Sequence, residues 1–391
     1  MTTFHFQHAT PAFRTFCGAD ALAALPQELD RLGAHRVVVL CDAALLRYTG
    51  VQNRLESILG KRLAARFDDV RQHSPLGSVE AARWTLEAAR ADAVIALGGG
   101  SVIVTARAAN ILLAERCDVR ELCTRREPDG RLTSPKLLAP KLPQWVIPNA
   151  PITDYATAGS AVLDPVTGKR LAILDPKARA QGVIFDAEVA LTAPAPLVQS
   201  SALNSFAMAI EGLQADVDDP LAEALLTHAL CMLATWIPRL GGNPDGAEPR
   251  LRLMTAALLC GQGSEYVGGG LAQALSHAAG PLSSTSNGVV KAMLLPQTMR
   301  FNEPVAGTRL ARVADALDPG RRSAARPAER AIAAVERVLE EAGIPARLRD
   351  VGVAETALPG VAERTLDDWT MTSVPRRANC DDLLDLLKAA W

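Results

Sequence analysis

Short runs of apolar residues alternate with amphipathic segments over the first half of the chain. The apolar runs predict short buried strands, which are expected at 36–41, 93–97, 144–148, 161–163, 171–174 and 183–185. The amphipathic segments predict helices, which are expected at 21–32, 79–90 and 102–114. Continuous apolar strands that alternate with helices are typical of a parallel sheet covered on both faces.

A proline-rich segment at 192–196 separates this part from a second part in which helical periodicity dominates. Helices are predicted there at 197–214, 220–238, 249–265, 269–280, 289–302, 305–317, 327–342 and 381–391. The charged, proline-bearing stretch 115–143 is predicted to be a long surface insertion. The length and pattern predict an α/β domain at 1–195 and an all-helical domain at 196–391.

Composition excludes several classes of function. The net charge is −2 and aromatic residues make up 4% of the 391 residues, so we expect neither nucleic acid nor a membrane surface as a partner. No apolar run reaches the about 20 residues of a membrane span, and the N-terminus lacks the apolar core of a signal peptide. Seven cysteines without a C-x-x-C pair predict reduced, mostly buried thiols in a cytoplasmic protein.

Two features predict a dinucleotide site. Gly98, Gly99, Gly100 and Ser101 stand between a strand and a helix, where backbone amides and the helix N-terminus favour a pyrophosphate. This is not the G-x-G-x-x-G fingerprint, so a simple tight turn is the alternative. Asp42 follows an earlier strand, where a carboxylate can bind a ribose diol and repel a 2′-phosphate. A helix cap is the alternative for Asp42, and together the two features favour NAD over NADP.

The order of these and later motifs resembles the iron-containing alcohol dehydrogenases, which have the dehydroquinate synthase-like fold. The motifs are Ile147-Pro148, Phe185-Asp186, Ala209-Ile-Glu211, Gly270-Leu-Ala-Gln-Ala-Leu-Ser-His277, Asn287-Gly288, Leu294-Leu-Pro296 and Phe301-Asn302. The stretch Ser373-Val-Pro-Arg-Arg377 is closer to the maleylacetate reductase branch. The resemblance implies a Rossmann-like N-terminal domain that binds NAD(P), a helical C-terminal domain, an active site in the cleft between them, and a homodimer.

The same resemblance assigns ligand positions and exposes departures from the family. The family's metal ligands, an aspartate and three histidines, fall on Asn204, Met208, Gln273 and Asn287. Amides and a thioether are poor ligands for hard and borderline divalent ions, which prefer carboxylate and imidazole. We therefore expect no metal.

The cofactor half departs from the family as well. The loop that helps hold the nicotinamide half opens here with Asn149 in place of the family's paired threonines. Arg107 stands where the family has a lysine, and either a charge role or an outward, exposed position is open for it. By resemblance, Gly98 to Ser101 bind the pyrophosphate and Asp42 binds the adenosine ribose.

Without a metal, organic groups must activate the carbonyl and deliver the proton. His277 is the best candidate proton donor, because imidazole titrates near neutrality. Its alternative is a structural histidine. Lys291 lies four residues after Asn287, on the same helix face, and is a candidate substitute for the missing cation. Its alternative is an exposed helix lysine.

Polar groups elsewhere in the second domain are candidates for substrate binding. Asn204, a candidate catalytic residue, and Gln273 offer amides to substrate oxygens, with polar core groups as the alternative, and Asn287 is a further candidate for substrate binding. Arg376 and Arg377 stand where the maleylacetate reductase branch has an arginine and can clamp a carboxylate. Their alternative is a surface basic pair.

Three functions are consistent with these residues. The first is a metal-independent NAD(H)-dependent oxidoreductase that transfers hydride to a small carboxylated carbonyl or enone substrate. The second is a non-redox enzyme on the same scaffold, such as a lyase, isomerase or decarboxylase. The third is a non-catalytic subunit that partners an active paralogue.

Overall fold

The computed structural model describes residues 6–127, 131–243, 246–320 and 326–391. Backbone contacts divide them into two compact units. The α/β unit comprises residues 11–150 and 154–193. The helical unit comprises the described residues of 6–10, 151–153 and 194–391.

The α/β unit is built on parallel strands. Its strands in chain order are β1 (Arg14–Gly18), β2 (Val37–Leu40), β3 (Leu63–Phe67), β4 (Ala93–Gly98), β5 (Arg125–Arg126), β6 (Leu132–Thr133), β7 (Gln144–Pro148), β8 (Gly159–Leu163), β9 (Arg170–Leu174) and β10 (Gly182–Asp186). A six-stranded sheet has the order β1-β10-β7-β4-β2-β3, and every neighbouring pair in it is parallel. Two antiparallel hairpins, β5-β6 and β8-β9, accompany it.

The burial of each strand of the six-stranded sheet explains whether the sequence pattern predicted it. The four inner strands are buried along their whole length, as their continuous apolar runs require. The edge strands β1 and β3 were missed, because Arg14 and Thr15 are exposed in β1 and Arg66 interrupts the short apolar run of β3. The stretch 115–143, predicted as a surface insertion, also contributes buried groups. The side chain of Lys141 in it is fully buried against Asp175, with 2.9 Å between Nζ and Oδ2.

Helices connect these strands. They are α1 (Leu25–Arg31), α2 (Thr49–Leu59), α3 (Leu76–Ala88), α4 (Gly100–Glu115) and α5 (Ala187–Ala190). Residues of the strands and of α1 form a hydrophobic core that includes Leu25, Leu29, Val39, Ile95 and Trp145, all at most 2% exposed. The helix predicted at 21–32 begins as a 3-10 turn and becomes α-helical at Leu25.

The helical unit follows the predicted periodicity closely. Its helices are α6 (Ala195–Gln214), α7 (Pro220–Gly242), α8 (Ala247–Ser264), α9 (Leu271–Ala279), α10 (Asn287–Leu317), α11 (Pro327–Glu341), α12 (Leu358–Leu366) and α13 (Cys380–Ala390). The prediction of a parallel-sheet part followed by a helical part is confirmed.

One prediction in the helical unit was wrong. The helices expected at 289–302 and 305–317 are a single helix, α10, with Pro296 and Pro304 inside it. A proline removes one backbone hydrogen bond from a helix. Packing of α10 against α6 and α11 offsets that loss. This packing involves residues of other helices, so the local sequence pattern did not predict it.

By length and composition alone, α7 would suffice to cross a membrane, with a mean hydropathy of 1.4. Polar residues such as Glu223 and Thr227 interrupt its apolar residues, so the sequence shows no continuous apolar run there. Its buried residues, which include Leu226, Leu230 and Leu233, pack with α6 and α8, as in the core helix of a helical bundle. No disulfide joins any of the seven cysteines, and Cys17 and Cys117 are exposed rather than buried.

Candidate functional site

A glycine turn joins β4 to α4 in the α/β unit. Gly98 has φ +140°, and a Cβ there would lie 3.0 Å from Val102 Cγ2 and 3.2 Å from Leu45 Cδ1, so only glycine fits. Gly99 caps the helix that begins at Gly100. Amides in the first turn of a helix have no carbonyl partner within it. The turn therefore presents N–H donors and a partial positive charge suited to a phosphate group.

Asn149 lies beside this turn with one unsatisfied atom. Its backbone N–H donates to Gly98 O at 3.4 Å, and its Nδ2 donates to Thr192 Oγ1 at 3.2 Å. Thr192 uses its own hydroxyl proton on Val189 O at 2.8 Å, which fixes the orientation of the Asn149 amide. Asn149 Oδ1 is then buried without a partner in the described part of the chain, 3.7 Å from a Cβ on Gly99.

Asp42 and Ser101 complete this group. Asp42 Oδ1 accepts from Leu45 N at 3.1 Å and caps a short 3-10 helix. The helix-cap alternative is therefore correct for this one of its two oxygens. The other oxygen, Oδ2, lies 3.5 Å from a Cβ on Gly98 and faces the turn. Ser101 Oγ accepts from the backbone N–H of His73 at 3.0 Å and keeps its own proton to donate.

Arg107 lies in α4 and is fully buried, so the exposed alternative for it was wrong. Its guanidinium donates to Gly159 O at 2.5 Å and to Asp154 O at 2.6 Å. These bonds hold the backbone that follows β7. Burial raises the pKa of the Asp154 carboxyl, and the charge of Arg107 opposes that shift.

The four positions that the resemblance assigns to metal ligands lie in the helical unit. Asn204 Nδ2 donates to Met208 Sδ at 3.6 Å, and Thr153 Oγ1 approaches the same sulfur at 3.7 Å. Asn287 is exposed at the start of α10. Over the described ranges, no group of three or more His, Cys, Asp or Glu side chains is arranged to hold a metal ion. A thioether and neutral amides do not fit a hard divalent cation.

Gln273, the remaining one of these positions, contacts a buried ion pair. Lys291 Nζ lies 3.1 Å from Glu211 Oε2 and donates to Gln273 Oε1 at 3.3 Å. Glu211 Oε1 accepts from the backbone N–H of Gln273 at 3.0 Å. Lys291 is fully buried, so the exposed-lysine alternative was wrong.

His277 lies at the end of α9 and is partly exposed. Its Nδ1 is 2.7 Å from Asp368 Oδ2, and since a carboxylate only accepts, Nδ1 carries the proton. Burial by itself raises the pKa of Asp368, but hydrogen bonds from His277 and Thr370 outweigh it and hold this pKa below its usual value. A small pocket beside the imidazole is lined by Ala274, Ala278, Pro281, Leu282 and Arg364. Nε2 therefore remains available for proton transfer.

Arg376 and Arg377 differ in their surroundings. Arg376 donates to Phe301 O at 2.8 Å, and its guanidinium stacks 4.0 Å over the Phe301 ring. Arg377 is exposed. Arg377 therefore fits the surface alternative, whereas Arg376 is tied to the main chain of α10.

The structure thus brings the predicted residues together in separate groups. Asp42, Gly98 to Ser101 and Asn149 form one, and Gln273 with Lys291 forms another. Sequence reasoning missed Glu211 and Asp368 as the partners of Lys291 and His277. Glu211 carried a weak signal, since it is the only charged residue of helix α6, which is fully described by the structure.

Comparison with known proteins decides the family. A model described as iron-containing alcohol dehydrogenase matches residues 11–187, and one described as Fe-containing alcohol dehydrogenase family, C-terminal, matches 198–391. The chain belongs to the iron-containing alcohol dehydrogenase family. The family resemblance drawn from the sequence motifs is confirmed.

Relatives of this family member span its whole length. Maleylacetate reductase 1 of Cupriavidus pinatubonensis is 28% identical, covering 100% of this chain and 98% of its own. Lactaldehyde reductase of Escherichia coli is 28% identical, covering 96% and 97%. The crystal structure of maleylacetate reductase from Agrobacterium tumefaciens has a TM-score of 0.80 at 26% identity, covering 99% and 98%. These relatives are oxidoreductases.

Proposed function

We propose that this family member is a metal-independent, NAD(H)-dependent oxidoreductase that transfers hydride to a small carboxylated carbonyl or enone substrate. Membership of an oxidoreductase family supports the reaction class. The observation that carries the proposal is the donor set at the family's metal positions, where a thioether and amides replace the acid and histidines.

The α/β unit offers the groups that would hold the cofactor. The amides at Gly99, Gly100 and Ser101 would meet the pyrophosphate at the start of α4. Asp42 Oδ2 would accept from a ribose hydroxyl and disfavour a 2′-phosphate, which favours NADH over NADPH. The buried, unpartnered Asn149 Oδ1 suits a hydroxyl or carboxamide donor of the dinucleotide. The bound cofactor would supply the hydride.

Proton delivery falls to His277. Hydride addition to a carbonyl carbon generates an alkoxide, which needs a proton donor. The hydrogen bond from Nδ1 to the carboxylate of Asp368 leaves Nε2 as the nitrogen that would give a proton to the substrate. Asn204 and Asn287 would bind substrate oxygens, and Arg376 and Arg377 would bind the carboxylate. The carboxylated substrate class draws on the similarity to maleylacetate reductases.

Purified protein, prepared without chelator, tests the proposal in three measurements. Elemental analysis should find transition metal far below one ion per chain. Fluorescence titration should detect NADH binding that is tighter than NADPH binding. NADH oxidation with a panel of small oxo-carboxylates and uncharged aldehydes should favour the oxo-carboxylates and survive chelation.

Each measurement has an opposite outcome. Stoichiometric iron or zinc, or activity lost to chelator and restored by metal, would overturn metal independence. Failure to bind NADH at millimolar concentration would overturn the redox reaction. A different product without NADH oxidation would favour a non-redox enzyme, and activity only with a co-purified paralogue would favour a partner subunit.

We also propose a cytoplasmic homodimer. The absence of disulfides among the seven cysteines supports a reducing compartment. Gel filtration with light scattering measures the mass directly, and a monomer at micromolar concentration would contradict the dimer.

A further inference from the structure

Lys291 is a buried cation with two defined partners. Its side chain is 0% exposed, and its Nζ lies 3.1 Å from Glu211 Oε2 and 3.3 Å from Gln273 Oε1. A fully buried ammonium cannot itself meet a substrate without a rearrangement of the groups that cover it. Its charge must act through a neighbour, and the neighbour with an amide to offer is Gln273.

The bond from Lys291 fixes the orientation of the Gln273 carboxamide. An ammonium has only donors, so the atom of Gln273 that faces it is the carbonyl Oε1. The Nε2 group must then point the other way. Gln273 is only half-buried, and within the described parts of the chain its Nε2 has no hydrogen-bond partner. The amide therefore presents two N–H donors beside a buried positive charge.

Glu211 contacts both Gln273 and Lys291. Its Oε1 accepts from the backbone N–H of Gln273, in the first turn of α9, and its Oε2 pairs with Lys291. A Cβ at Gly270 would lie 2.5 Å from Glu211 Oε1, so the carboxylate lies directly against the backbone at the start of α9. The position of Gln273 is therefore set by its main chain as well as by its side chain.

We infer that Gln273 Nε2 is the hydrogen-bond donor that stabilises the developing alkoxide, and that Lys291 is a positioning residue that orients and polarises it. A cation on Oε1 draws electron density from the amide and makes its N–H groups stronger donors. Pre-oriented donors at a developing oxyanion contribute strongly to catalysis. This inference rests on the proposed carbonyl reduction and names the group that takes over the electrophilic role.

A double-mutant cycle tests whether Lys291 acts through Gln273. Removing Lys291 alone strands the charge of Glu211, so Lys291→Met is combined with Glu211→Gln, which keeps an acceptor for the Gln273 N–H. Gln273→Met should lower kcat for NADH-dependent reduction by about 100-fold, the loss typical of one oxyanion donor. The Lys291→Met/Glu211→Gln pair should lower kcat by about 2- to 4-fold, because the amide stays but loses its polarisation.

The decisive variant combines all three substitutions. If Lys291 acts through Gln273, the triple variant is no slower than Gln273→Met, whereas independent actions would multiply the two losses. KM for NADH should stay unchanged throughout. Multiplied losses, or no loss from Gln273→Met in folded protein, would overturn the inference.

Side-chain amide NMR provides a readout that needs no turnover. The Gln273 Nε2 resonances, assigned by their absence in Gln273→Met, should shift in the Lys291→Met/Glu211→Gln variant. The Gln297 amide, which donates to Ala389 O on another surface, should not move. Unshifted Gln273 resonances would overturn the inference. If the parent protein reduces no carbonyl compound, the proposed function fails, and the NMR result still decides whether Lys291 polarises this amide.

Discussion

The Nδ1 atom of His277 and the Oδ2 atom of Asp368 lie 2.7 Å apart, although 91 residues separate them in the chain. Asp368 also accepts from the backbone N–H of Thr370 at 2.8 Å. The backbone of Thr370 therefore holds the carboxylate in place. The carboxylate in turn determines which ring nitrogen of His277 carries the proton. A histidine that appears isolated in the sequence is in fact one half of a dyad.

The lowered pKa of Asp368 predicts a specific loss of stability in acid. A carboxyl group whose pKa is lower in the folded state stabilises the fold above its unfolded pKa of about 3.9. That contribution is lost as the pH falls through the folded value. At pH 7 we expect Asp368→Asn to cost about 1–2 kcal/mol of unfolding free energy, since solvent partly screens the pair.

Urea denaturation of both proteins from pH 7 down to acid measures this difference. The two unfolding free energies should converge once Asp368 is protonated. A gap that is still present after Asp368 is protonated would contradict the assignment.

The ion pair of Lys291 and Glu211 predicts strong coupling between two substitutions. Lys291→Met alone leaves an uncompensated carboxylate that is almost fully buried, which typically costs about 3–5 kcal/mol. Adding Glu211→Gln removes the stranded charge and should recover most of that loss. Chemical denaturation of the parent, both single variants and the double variant gives the coupling energy. Additive effects would mean that the two side chains do not depend on each other.

How far the sequence predicts the fold depends on where each strand lies. The inner strands β2, β4, β7 and β10 are buried throughout and were predicted, whereas polar residues interrupt the apolar pattern of β1 and β3, which were not. Local pattern also split α10 at its second proline, because the packing that carries the helix through Pro304 comes from residues distant in the chain.

In the candidate site as well, local features were predicted from the sequence and contacts between distant segments were not. The glycine turn at 98–100 is a local feature, so spacing alone predicted it. The partners of His277 and Lys291 come from distant segments and depend on the folded chain. Gln273 was predicted to bind substrate through its amide, but only the contact with Lys291 determines which end of that amide is available.

Gly270 tests how tightly the carboxylate of Glu211 is packed. A Cβ at this position would lie 2.5 to 2.7 Å from three atoms of Glu211, whose side chain is held by Lys291 and cannot easily withdraw. Gly270→Ala should therefore destabilise the protein by about 1–3 kcal/mol, as overpacking does. Gly307→Ala is the matched control within α10, where a Cβ meets nothing within 4 Å.

We expect Gly307→Ala to stabilise the protein by about 0.5–1 kcal/mol, the difference in helix propensity between the two residues. Urea midpoints of the two variants provide the comparison. Equal stability would show that Glu211 moves aside at little cost, and would weaken its role as an anchor for Gln273.

Gly99 provides the sharpest test of the dinucleotide site. A Cβ there makes only an ordinary contact, 3.7 Å from Asn149 Oδ1, so Gly99→Ala should fold normally. The added methyl group would, however, keep a pyrophosphate from approaching the amides at the start of α4. We expect the Kd for NADH to rise at least about tenfold, which corresponds to about 1.4 kcal/mol.

Gly77→Ala is the control for this substitution, since Gly77 lies in the first turn of α3 with nothing within 4 Å of its Cβ position. Fluorescence titration with NADH should give the parent affinity for Gly77→Ala and a weakened one for Gly99→Ala, with equal melting temperatures. If both variants bind NADH like the parent, the turn at 98–100 is a structural connection between β4 and α4 and does not hold the cofactor.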